Sequence, residues 1–141
     1  MAQQSKLPFW EAKALHATAI SAVAKSDFPL SLDSIGKAFE ICPPENNDMF
    51  LSDLYTAYGN VYFFLNDFDR SLKNQLIALD LREKIGEEVK IAYSINSVGV
   101  VYASMNNHPL AVKFFQRSLK MNEKLSNTFG IKMAMNNLAV V

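Results

Sequence analysis

The 141-residue chain has one cysteine, Cys42, which excludes an internal disulfide and a cysteine-rich metal site and fits a reducing, cytoplasmic compartment. It has no excess of either charge: Lys plus Arg is 14, Asp plus Glu is 14, and the formal net charge is zero. That balance provides no basic footprint for a phosphate backbone or an anionic bilayer, so neither nucleic acid nor a membrane is an expected partner. No apolar run approaches the ~18 residues of a spanning helix. The five glycines stand singly rather than in a phosphate-cradling loop, and HExxH, CxxC and GxGxxG are all missing. Neither an enzyme nor a cofactor is expected. What is abundant is apolar surface: 50% of residues are hydrophobic against 20% charged, too apolar for a disordered chain.

The apolar residues are organised by one repeat. At a constant offset of 40, Gly59 returns as Gly99, Val61 and Tyr62 as Val101 and Tyr102, Leu79 as Leu119, Glu83 and Lys84 as Glu123 and Lys124, and Ile91 as Ile131. Asp27, Phe28, Ser31, Leu32 and Ala38 precede Asp67, Phe68, Ser71, Leu72 and Ala78 by the same 40, while Asn96 and Val100 run on to Asn136 and Val140. A register without insertions means one supersecondary unit, stacked. The units fall at about 12–51, 52–91 and 92–131, with a partial fourth at 132–141.

Within a unit the apolar spacing is helical. Leu51, Leu54, Tyr55, Tyr58, Val61, Tyr62 and Leu65 step by three and four, and after a break Phe68, Leu72, Leu76, Leu79 and Ile85 do the same. The breaks carry helix-end residues: Ser26-Asp27 before Pro29, Asn66-Asp67 before Phe68, and Asn106-Asn107 before Pro109. Gly86, the stretch from Cys42 to Asp48 with Pro43 and Pro44, and Ser126 to Thr128 end the other helices. The spacing predicts an all-α chain of seven helices at about 8–25, 29–41, 48–65, 68–85, 88–105, 109–125 and 128–140. Gly59 and Gly99 are expected where paired helices approach most closely, with Tyr62 and Tyr102 filling the space one turn on.

These residues resemble the tetratricopeptide repeat, whose pattern asks for a large residue at position 4, Leu at 7, Gly or Ala at 8, Tyr at 11, Ala at 20, an aromatic at 24 and Ala at 27. Counting from Ser52 places Tyr55, Tyr58, Gly59, Tyr62, Ser71, Gln75 and Ala78 there, and counting from Ala92 places Ile95, Val98, Gly99, Tyr102, Ala111, Phe115 and Ser118. The resemblance implies a right-handed α-solenoid of antiparallel helix hairpins that binds a protein or peptide in a concave groove. The 40-residue period is similar to that of kinesin light chains, Pins-type adaptors and bacterial signalling proteins, as is Asn136-Asn137-Leu138-Ala139-Val140. That likeness implies the sensory part of a signalling protein with a downstream output domain such as a diguanylate cyclase or histidine kinase. A fourth unit begun at 132–141 suits a piece of a longer protein, or a homodimer joined through the apolar face of Ile131, Met135, Leu138 and Val141. A receptor for pheromone-like peptides is a further alternative.

In the family the first helix of each unit lines the groove through positions 2, 5, 9, 12 and 13. Carried across, these are Asp53, Thr56, Asn60, Phe63 and Phe64, then Tyr93, Asn96, Val100, Ala103 and Ser104, then Met133, Asn136 and Val140. The expected groove residues are Thr56, Asn60, Phe63, Phe64, Tyr93, Asn96, Val100, Met133 and Asn136. An asparagine amide both donates and accepts, so Asn60, Asn96 and Asn136 could pair with the backbone of an extended peptide while Phe63, Phe64 and Tyr93 supply pockets. Alternatively Asn96 and Asn136 bridge neighbouring helices and the two phenylalanines are core. His16 falls at a groove position, and His108 before Pro109 reads as a turn or cap residue. Positions 5 and 9 hold His16, Ile20, Thr56, Asn60, Asn96 and Val100 rather than Lys or Arg, which disfavours a free C-terminal carboxylate as ligand.

Overall fold

The computed structural model describes residues 6–42 and 47–141; the expected break at Pro43 and Pro44 lies outside the described residues. Among the described residues there are seven helices: α1 (Lys6–Ala24), α2 (Phe28–Ile41), α3 (Asp48–Phe64), α4 (Phe68–Ile85), α5 (Glu88–Ser104), α6 (His108–Lys124) and α7 (Thr128–Ala139). No strand occurs among the described residues.

The helix starts follow from their caps. Asp27, Asp67, Asn107 and Asn127 each accept a hydrogen bond from the backbone N–H three residues on, satisfying a donor that the first helical turn leaves free. The residue before each cap, Ser26, Asn66, Asn106 and Ser126, turns the chain through left-handed backbone with φ of 58°, 59°, 59° and 54°. Division of labour at each Ser/Asn–Asx pair is thus strict, the first residue turning and the second capping. Asn107, not His108, supplies the cap of α6, and His108 is its first residue. Gly86, at φ 82°, ends α4 with its N–H donated to the Arg82 carbonyl.

Consecutive helices pair as antiparallel hairpins, α1 with α2, α3 with α4 and α5 with α6, and each hairpin packs on the next, α7 closing against α6. The hairpins come together where the glycines are. A Cβ on Gly59 would stand 2.7 Å from Gln75 Nε2, and one on Gly99 2.7 Å from Phe115 Cε1. Ser71 Oγ donates to the Gly59 carbonyl at 2.8 Å, as Ser31 Oγ does to that of Ala19 at 3.0 Å, so a buried hydroxyl clasps the first two hairpins, while Ala111 takes that place in the third. Tyr62 stacks on Tyr58, and Tyr102 packs on Phe114 with ring centres 5.5 Å apart.

The core is a row of clusters rather than one centre. Ala12, Ala19, Ile35, Ala38, Leu54 and Val61 join the first hairpin to α3, with Phe39 wedged against Tyr55 and Tyr58. Leu79, Ile91, Ile95 and Val98 form the corresponding cluster between α4 and α5. All-helical packing of this kind, hairpin on hairpin, is an α-solenoid.

Candidate functional site

A cleft of about 290 Å³ opens between α3 and α5. Seven of the residues expected to line a groove meet there: Asn60, Phe63 and Phe64 from the end of α3, Tyr93, Asn96 and Val100 from α5, and Met133 from α7. Ser71 and Gln75 of α4 contribute to it as well. A neighbouring recess of about 280 Å³ shares Val100 and takes in Ala103, Ser104, Asn137 and Val140.

The aromatic residues form the rim. Phe64 is 55% exposed and lies parallel to Phe28 at 6.2 Å, while Tyr93 is 44% exposed. Phe63 is half-buried, its ring tilted against Phe68 at 5.6 Å and edge-on to Phe64. Neither phenylalanine is a core residue in the sense that Phe115 is.

The asparagines divide differently from the expectation of a uniform row. Asn60 Oδ1 accepts from Gln75 Nε2 at 2.9 Å, tying α3 to α4. Asn96 is buried, and its Oδ1 accepts from Asn137 Nδ2 at 2.9 Å, tying α5 to α7. Asn96 therefore bridges helices and still lines the cleft. Asn136 is exposed and outside the cleft, and the residue one step on makes the bridge. Thr56 is buried with its hydroxyl donated to the Ser52 carbonyl one turn back at 2.9 Å, and it too lies outside the cleft.

Position 2 of the second unit carries charge rather than groove surface. The guanidinium of Arg82, almost fully buried, donates from Nε to Ser52 Oγ at 3.2 Å, from Nη1 to Ser94 Oγ at 2.5 Å and from Nη2 to Asp53 Oδ1 at 2.8 Å. Lys90 Nζ reaches both Asp53 oxygens at 3.2 Å. One side chain thereby joins α3, α4 and α5. Sequence reasoning missed Arg82; the available signal was that it stands, at the 40-residue offset, in a column otherwise filled by Cys42 and Asn122. His16 lies edge-on to Phe50 at 5.7 Å, and burial lowers its pKa against the opposing pull of Asp53.

Burial pushes the Cys42 thiol up, away from the thiolate a nucleophile needs. Among the described residues no group of three or more His, Cys, Asp or Glu could hold a metal ion, and no helix is long and apolar enough to cross a membrane. The Glu83–Arg117 and Lys124–Glu88 contacts are exposed ion pairs between helices.

Comparison with known proteins agrees with this geometry. The N-terminal domain of stress-induced protein-1 (STI-1) from C. elegans has the same fold, with a TM-score of 0.69 at 21% identity, over 93% of this chain and 97% of that one. No curated protein matches the chain at a significant level. A family profile described as the tetratricopeptide repeat matches residues 50–124, more than half of the chain. With the helix hairpins, the glycines at their close approaches and the 40-residue register, this makes the chain a member of the tetratricopeptide repeat family.

Proposed function

We propose that the chain is a scaffold that binds an extended peptide segment of a partner protein along the concave side of α3, α5 and α7. One observation carries the reading: Phe64 and Tyr93, two exposed aromatic side chains on neighbouring hairpins, flank one open cleft. Exposed aromatic anchors beside amide groups are what peptide recognition uses, the rings filling pockets and the amides pairing with backbone. The cleft lining holds no ionised side chain, which favours a neutral stretch of ligand.

Selection of displayed peptides against the full chain, followed by amide chemical-shift mapping of the winners, tests the proposal. Shifts are expected at Asn60, Phe64, Tyr93, Val100 and Met133, and Phe64→Ala with Tyr93→Ala should each weaken binding by about 1–2 kcal/mol. Peptides that map only to α2, α4 and α6 would sink it.

The likeness to bacterial signalling repeats supports a sensory role in which groove occupancy is relayed to an output domain such as a diguanylate cyclase or histidine kinase. A second reading, homodimerisation, is favoured by the exposed Phe129, Met135 and Val140 on and just after α7. Light scattering over a concentration series decides it, since a strictly monomeric chain removes that reading.

A further inference from the structure

The cleft has a polar floor at a position where the repeat pattern asks for an aromatic ring. Gln75 stands 40 residues before Phe115, and each packs against the glycine of its own hairpin, Gly59 or Gly99. Phe115 completes an apolar contact there. Gln75 instead brings a carboxamide that is 2% exposed, and its Oε1 has no hydrogen-bond partner among the described residues. Its Nε2 is held by Asn60 Oδ1 at 2.9 Å, which leaves the acceptor as the unsatisfied half of the group. A buried acceptor without a donor costs stability that an aromatic or aliphatic residue would not cost. Unmet polar groups of this kind are retained where something else meets them.

What meets Oε1 is defined by the surroundings. Phe63, Phe64 and Tyr93 flank the cleft with ring surface, and no ionised side chain lines it, so a charged group would lose its hydration without gaining a partner. A flat apolar group with one donor fits both walls and floor. The terminal torsion of glutamine is soft, so the carboxamide can turn its oxygen to the cleft without displacing α4, exchanging its bond to Asn60 for one to the ligand.

We propose that Gln75 is a ligand-binding residue, accepting a hydrogen bond from a neutral aromatic side chain that carries one N–H or O–H donor and enters the cleft between α3 and α5. The proposal rests on the peptide-groove reading and specifies which side chain the groove selects.

The test uses the full chain with p-cresol and indole as donor probes, and 4-methylanisole and 1-methylindole as counterparts whose donor is blocked. Side-chain amide resonances of Gln75 and Asn60 are followed by NMR. The donors should move both sets of resonances and bind about tenfold or more tightly than the methylated probes. Gln75→Met keeps the side chain's length and removes the amide; it should erase that preference while melting at or above the wild-type temperature. Equal affinity of free and methylated probes, a preference that survives in Gln75→Met, or no shift at the cleft would each overturn the assignment. The probe pairs read the contact in the unaltered chain, so the result does not depend on the variant folding. If methylated and free probes bind the cleft equally, Gln75 loses its role and the peptide groove stands. Should selected peptides map outside the cleft, both fall.

Discussion

Arg82 Nη2 and Asp53 Oδ1 lie 2.8 Å apart with the arginine side chain only 4% exposed and the aspartate 27%. The two are not equivalent partners. Lys90 also reaches Asp53, and two serine hydroxyls also hold Arg82, so the consequence of losing each differs.

Removing the carboxylate strands a buried cation. Asp53→Ala is expected to destabilise the chain by up to about 3 kcal/mol, the low end for breaking a buried pair because Asp53 keeps contact with solvent. Arg82→Met leaves Asp53 with Lys90 and fills the space with apolar atoms, so it should cost less. Urea unfolding midpoints of the two variants compare them directly, and the reverse order would show that the guanidinium's serine contacts dominate.

Two glycines in equivalent places should respond unequally to alanine. The added Cβ at Gly59 meets the unbranched Gln75 side chain from Cγ to Nε2, whereas at Gly99 it meets the rigid Phe115 ring; both side chains are buried, but the glutamine has more torsions with which to yield. Gly99→Ala should therefore lose about 1–3 kcal/mol by overpacking, partly offset by the better helix propensity of alanine, and Gly59→Ala less. Thermal melts of both variants report the difference.

His16 gives the fold a pH dependence of known sign. Burial lowers its pKa from 6.5 in the folded chain, Asp53 opposes the shift and Lys90 adds to it. The unfolded chain then binds the proton more readily, so the stability that the neutral imidazole contributes is complete above pH 6.5 and is lost as pH falls below it. Stability measured by denaturant from neutral pH to about 5 should decline more steeply for the wild type than for His16→Gln. Parallel slopes would exclude His16 as the cause.

The Asn96–Asn137 bond is the polar tie found between α5 and α7. Replacing Asn137 with alanine leaves α7 held to α5 by apolar packing, so amide hydrogen exchange in α7 should speed up while α3 and α4 keep their protection. Replacing the exposed Asn136 should leave exchange unchanged, which separates the two adjacent residues.

That pair of neighbours shows where sequence reading succeeds and where it stops. Repeat register located the helices and the close approaches at Gly59 and Gly99, because periodicity reports which face of a helix is buried, whereas the seven residues that share one cleft came from the family resemblance. The register paired Asn96 with Asn136 as equivalent positions, which does not say what either touches, and the partner of Asn96 on α7 is Asn137. A one-residue step on a helix is a rotation of about 100°, so the two adjacent asparagines face different surroundings. Arg82 and Gln75 were illegible for a related reason. Arg82 departs at a column that the pattern leaves open and Gln75 at one where it asks for an aromatic, and only the packed structure reveals what each departure touches.

The left-handed residues Ser26, Asn66, Gly86, Asn106 and Ser126 are spaced by 20 or by twice 20, so the chain is punctuated at an interval set by one helix plus its turn. A segment that reverses direction at each mark returns to its original heading only after two. Growth of such a gene by one interval would put the groove-forming side of every later helix on the back of the array, whereas growth by two would extend the groove. The turns thus confine length changes that keep the cleft-lining helices on one side to whole hairpins, and a change of a single interval is the one that splits that face while leaving every helix intact.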